Sequence, residues 1–192
     1  MARENNRHKG DSKETLGKVI ASNLFSLLKI FLLCLVAVYG TFNYLVKPTW
    51  IYGVSMYPTL KDGAFVVSNA FVGHFMDVHR QDIVIAYDSK FAPVVIVKRV
   101  IGLPGDTIYA KNDIVYVNGK PLDEPYLESD YARTFRELQG SFTSDFGPVT
   151  LGEDEYFLMG DNRVKSEDSR VRGPIKRDAI KACGTFVILK GK

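Results

Sequence analysis

Val94-Val-Ile-Val-Lys-Arg-Val-Ile101 is a run of β-branched apolar residues interrupted by one pair of cations. Such side chains pack well on a pleated surface, so the run reads as a buried strand. With period-two alternation, Lys98 shares a face with Val94, Ile96 and Val100. A lysine set among apolar neighbours is desolvated, which favours its neutral amine and lowers its pKa. The pattern equally suits a strand-end lysine whose ammonium reaches water.

Further short β-like runs lie on either side, at 50–54, 65–68, 83–87, 114–118, 156–159 and 185–189. Asp62-Gly63, Pro104-Gly105-Asp106 and Asn118-Gly119 separate them as turns, the last a hairpin signal. No long amphipathic helix is expected between them. Residues 121–150 are more polar, with Pro121, Pro125, Gly140, Gly147 and Pro148, and read as an irregular insertion. The expected fold is mostly β: a compact antiparallel sheet domain over 48–192, preceded by one N-terminal transmembrane helix.

That helix is read from Phe25 to Val46, about 22 residues or roughly 33 Å, enough to cross a bilayer. Lys29 near one end suits snorkelling, and Tyr44 and Trp50 suit the opposite interface. A buried core helix rarely shows apolar residues on every face. A cleaved signal peptide has a shorter run and a small-x-small site, whereas bulky residues follow Gly40 here. An uncleaved anchor over 23–47 fits best. Arg3, Arg7, Lys9, Lys13 and Lys18 outnumber Glu4, Asp11 and Glu14 before it, which puts the tail, residues 1–22, in the cytoplasm. The polar part of that tail, residues 1–20, is expected to be poorly ordered.

A net charge of +3 over 192 residues is too small to suggest nucleic acid, and no basic-aromatic stripe supports it. Cys34 in the apolar segment and Cys183 near the far end do not suit a disulfide. No Cys-His cluster has metal-ligand spacing, so neither a metal nor a cofactor is expected.

Just past the anchor lies Gly53-Val-Ser-Met-Tyr-Pro-Thr-Leu60. A serine hydroxyl is a poor nucleophile until a base takes its proton. His8 falls on the wrong side of the membrane, and His74 and His79 flank a stretch that reads as an exposed loop. Lys98, on its apolar face, is the other candidate base for Ser55.

Ser55-Met-Tyr-Pro-Thr-Leu60, Lys98-Arg-Val-Ile-Gly-Leu-Pro-Gly-Asp106 and Gly160-Asp-Asn-Arg-Val-Lys-Ser-Glu-Asp-Ser-Arg170 follow one anchor in that order. Together they closely resemble the bacterial type I signal peptidases, membrane-bound serine proteases with a Ser-Lys dyad, over about residues 25–190. The resemblance is weakest at 121–150, and the single anchor is similar to Gram-positive members. It implies a membrane enzyme whose catalytic domain lies outside the cytoplasm. Its partners would be the lipid bilayer and the signal peptides of secreted pre-proteins, cut after small-x-small sites.

The resemblance makes Ser55 the nucleophile and Lys98 the general base. Ser166 matches the serine that orients the lysine amine. Asp168 and Arg170 match a charged pair that holds the site together, with Arg99 as a further partner, and the turn Asp161-Asn162-Arg163 buttresses the site. Small pockets around Ile51, Gly53, Leu60, Ile96 and Val97 would bind substrate, and strand edges at 50–54 and 94–98 would pair with it. Many relatives add an oxyanion donor from a serine two residues before the nucleophile. Gly53 stands there, so backbone donors are expected to serve instead. Gly63-Ala64 and Gln81-Asp82 depart from the family's usual Gly-Asp. The stretch Phe71-Val-Gly-His-Phe-Met76, with Trp50, is expected to dip into the lipid surface.

Three rivals compete with this reading. A self-cleaving repressor shares the dyad chemistry but carries a DNA-binding domain where this chain has an anchor. A signal-peptidase-like assembly factor for surface proteins or pili would lack a working dyad, whereas both dyad residues are present. An anchored β domain that only binds partners would not need three coordinated motifs.

Overall fold

The computed structural model describes residues 4–71, 77–88 and 94–191. Helix α1 runs Glu4–Gly40, and one π-helical turn follows at Thr41–Leu45. Its segment Gly17–Leu45 has a mean hydropathy of 2.3, is long enough to cross a bilayer, and buries none of its apolar window in the protein. That excludes the buried core helix. The tail expected to be poorly ordered is helical from residue 4 onward. It contains no proline, and a helix propagates cheaply from an established nucleus.

From Val46 the chain is built on antiparallel strands, as expected. They are β1 (Val46–Trp50), β2 (Phe65–Asn69), β3 (Ile83–Asp88), β4 (Val94–Gly102), β5 (Thr107–Lys111), β6 (Ile114–Val117), β7 (Lys120–Pro121), β8 (Phe146–Thr150), β9 (Glu155–Met159), β10 (Ile175–Lys176) and β11 (Ile180–Leu189). One sheet has the order β1-β2-β11-β3-β4-β9-β10 and the other β7-β6-β5-β8. The turn at Asn118-Gly119 has φ of 51° and 76°, the two positive values of a tight hairpin. Asn112-Asp113, at 53° and 67°, makes a second such turn between β5 and β6 that was not anticipated.

Several boundaries differ from the sequence reading. The first strand covers 46–50 rather than 50–54; Pro48 lacks a donor N–H, which an edge strand tolerates. β11 begins at Ile180 rather than at 185. Gly184, with φ of 65°, sits at a bulge inside it instead of ending it. The segment 121–150 is not irregular. It holds a 3-10 turn, Pro125–Leu127, and the amphipathic helix α2 (Asp130–Gln139). Ser129 caps α2 by accepting from Ala132 N–H, and Gly140 ends it at φ of 81°. β8 then joins the second sheet beside β5.

Gly102 marks where β4 meets the second sheet. A Cβ there would lie 2.1 Å from Ile108 Cδ1 and 3.0 Å from Phe157 Cβ, so only glycine permits the approach. Gln81, at φ of 73°, occupies a left-handed position that glycine adopts without strain.

Candidate active site

Strand β4 keeps the expected alternation: Ile96 and Val100 join one core cluster and Val97 another. β9 covers β4 only from Arg99 onward, through the pair Arg99↔Met159. Lys98 therefore sits where a fully paired strand gives way to an edge. It is 5% exposed, and its Nζ lies 2.8 Å from Ser55 Oγ and 3.3 Å from Val97 O. Burial pushes its pKa below the usual lysine range. Asp168 and Asp161 oppose that shift, while Arg172 and Arg170 reinforce it.

Ser55 opens a turn held from beneath by Met56 and Leu60, both buried. Leu60 N–H donates to Met56 O at 2.8 Å and Tyr57 N–H to Val54 O at 3.1 Å. The third motif clamps this turn from its other side. Asn162 donates its backbone N–H to Ser55 O and its Nδ2 to Val54 O, each at 3.0 Å. Asp161 accepts from Thr59 Oγ1 and, bidentately, from Arg99 Nε at 2.8 Å and Nη2 at 2.6 Å. A single buried carboxylate thus joins the nucleophile turn to the residue after the lysine. Gly160 fits between the two: a Cβ would lie 2.2 Å from Ser166 Oγ and 2.4 Å from Ser55 O.

Asp168 pairs with Arg170 at 2.8 and 2.9 Å and accepts from Gly160 N–H at 2.9 Å. Burial alone would raise its pKa, but hydrogen bonds from Arg170 and Gly160 outweigh that and hold the carboxyl below its ordinary range. Arg99 does not join this pair as expected, because Asp161 takes its Nε and Nη2 and Gln81 O takes its Nη1. Nor does Ser166 hydrogen-bond the lysine: the amine is directed to Ser55 Oγ and Val97 O.

Ser55 and Lys98 border a groove of about 580 Å³ that Ile51, Ile96 and Val97 also line, as do Met56 and Ile85. Two expected pocket residues lie elsewhere. Leu60 is buried in a core cluster and borders a separate cavity of about 320 Å³. Gly53 is not among the groove-lining residues. It is needed for its φ of 92°, and its N–H donates to Asp62 Oδ1 at 2.8 Å. His79 is on the surface, 3.8 Å from Asp82. His74 and most of the Phe71–Met76 stretch lie outside the described residues. Among the described residues, no group of His, Cys, Asp or Glu is placed to hold a metal.

The family described as signal peptidase, peptidase S26, matches residues 24–189. The chain belongs to that family. Signal peptidase I of Bacillus amyloliquefaciens is 44% identical over 128 residues, which cover 67% of this chain and 65% of that protein. Signal peptidase I T of Bacillus subtilis strain 168 is 42% identical over 146 residues, covering 76% and 75%. The crystal structure of a signal peptidase I from Enterococcus faecalis V583 matches at 34% identity with a TM-score of 0.50, over 55% of this chain and 95% of that one.

Within this signal peptidase site, several partnerships escaped the sequence reading. Arg163 is wholly buried and forms an ion pair with Glu124, whose Oε1 also accepts from Tyr126 OH. The Arg99 guanidinium stacks over the Tyr126 ring at 3.8 Å. Tyr131 OH donates to Asn162 Oδ1 at 3.3 Å, and its ring meets Tyr57 edge-on. Residues 121–150 therefore brace the third motif. Nothing in the local sequence around Glu124 or Tyr131 points to a partner 31 to 39 residues away.

Proposed function

We propose that this signal peptidase family member is a membrane-bound serine endopeptidase that uses Ser55 as nucleophile and Lys98 as general base. One observation carries the assignment: a buried lysine amine 2.8 Å from a serine hydroxyl beside an open apolar groove. The neutral amine accepts the Ser55 proton as Oγ attacks the scissile carbonyl. The resulting ammonium protonates the leaving amine, and an acyl-enzyme remains. Lys98, neutral again, takes a proton from water for deacylation. The developing oxyanion is met by the Ser55 N–H, since Gly53 offers no hydroxyl.

The substrates are secreted pre-proteins that carry signal peptides. Their extended segment lies along 94–98, where β4 lacks a partner strand on one side. Ile51, Ile96 and Val97 favour small residues there, because bulky ones would clash. Helix α1 is a single-pass anchor with a cytoplasmic N-terminus, so the β domain lies outside the cytoplasm.

The test is cleavage of a signal-peptide-bearing substrate by the full chain in detergent micelles. Ser55→Ala and Lys98→Ala are each expected to lower kcat/KM by about a thousand-fold or more, and His79→Ala to leave it unchanged. Activity should fall as pH drops through the depressed Lys98 pKa, because only the neutral amine is a base. Retained cleavage in either dyad variant overturns the assignment.

A further inference from the structure

Lys98 borders one small internal space together with Ile96, Leu158, Asp88, Asp168 and Arg172. Arg172 ends the short helix α3 (Ser169–Arg172), which Asp168 caps. Asp88 ends β3 opposite Val94 of β4. The Asp88 side chain has no solvent exposure, and its Oδ2 accepts from Arg172 Nη1 at 2.8 Å. Arg172 Nη2 also lies 3.1 Å from Oε2 of the exposed Glu167. Burying the Asp88 carboxylate here costs desolvation that an apolar side chain would avoid, so stability alone is a weak reason for the pair.

Their setting supplies a better one. The groups facing Lys98 are Asp161 from the turn after β9, Asp168 and Arg170 beside α3, Arg172 on α3, Asp88 on β3, the neighbouring Arg99, and Ser55. Lys47 and Lys181 share its groove. Each of the three buried carboxylates is matched by its own arginine: Asp161 by Arg99, Asp168 by Arg170 and Asp88 by Arg172. Asp168 and Asp161 still favour the ammonium, and their arginines offset them only in part.

We propose that Arg172, seated by Asp88, is a positioning residue whose fixed charge keeps the Lys98 amine neutral. This rests on Lys98 being the base. Arg172 acts through Lys98 and touches no reacting atom. Burial is the main cause of the lowered lysine pKa, and Arg172 is the foremost charge that adds to it.

The test is the pH dependence of kcat/KM for the full chain in micelles, using a quenched signal-peptide substrate. Arg172→Gln removes the cation and keeps the Asp88 carboxylate, and the acid limb should move to higher pH. Asp88→Asn removes the carboxylate charge that faces Arg172 Nη1, and the limb should move to lower pH. Each displacement should be about half a pH unit, a roughly three-fold change in cleavage at fixed pH on that limb. The double variant should lie between them, and Arg172→Lys, which keeps the charge, should stay near wild type. If Arg172→Gln does not fold, the downward shift in Asp88→Asn still decides. Limbs that stay in place, or move the same way in both single variants, overturn the proposal and leave a structural clasp. Lys98→Ala separates the two readings. Cleavage that survives it overturns the base assignment, whereas its loss alongside unmoved limbs overturns only the role of Arg172.

Discussion

At the scale of single residues, the site depends on side chains that are missing as much as on those present. Gly160 has Ser166 Oγ on one side and Ser55 O on the other, and an added Cβ would overlap both. Ser55 O also accepts from Asn162 N–H, so the clash would be relieved by shifting the nucleophile turn. We expect Gly160→Ala to lower kcat/KM by about a hundred-fold, the usual consequence of misplacing a reacting group by about 1 Å. Peptide cleavage by folded variant, checked by circular dichroism, measures it. Ser55 and Lys98 were legible in the sequence because each sits in a local pattern, one in a turn motif and one in an apolar strand. Gly160 was quoted within a motif, but its role was hidden. It depends on two neighbours brought together only by folding.

At the scale of elements, the 121–150 segment changes most between the two readings. Its polarity suggested an insertion, yet Glu124 and the aromatic residues Tyr126, Tyr131, Phe135 and Phe142 pack inward. Arg163, with no side-chain exposure, is matched by Glu124, and Tyr131 reaches Asn162. Breaking a buried pair from one side leaves a charge uncompensated. Arg163→Met should therefore cost about 3–5 kcal/mol in chemical unfolding, and Glu124→Gln with Arg163→Met should cost less. A double variant whose cost equals the sum of the two single costs would mean that the pair is not coupled. Strand boundaries failed for a similar reason. Gly184 reads locally as a stop, but β2 and β3 flank β11 and carry the ladder across its bulge.

At the scale of the whole molecule, carboxylates with depressed pKa values tie the parts together. Asp106, Asp113 and Asp168 are each pushed up by burial, then carried below the usual range by hydrogen bonds to Arg80, Arg136 and Arg170. A depressed folded pKa gives stability that is present above the unfolded value, about 3.9, and lost as pH falls through the folded one. The melting temperature of the full chain in micelles should hold from pH 7 to about 5 and drop steadily below about 4. Asp113→Asn should flatten part of that fall; an unchanged acid slope would remove Asp113 from the account.

The sequence by itself determined an apolar helix long enough for a bilayer, an antiparallel β domain, and the chemical types at the site. Those rest on local periodicity, turn chemistry and short motifs, all of which act within a few residues. Only the tertiary structure decided which charges are partners. It gave Arg99 to Asp161 rather than to Asp168, directed the Lys98 amine to Ser55 Oγ rather than to Ser166, and set Asp88 against Arg172. A buried charge takes the partner that packing brings within about 3 Å, whatever its distance along the chain.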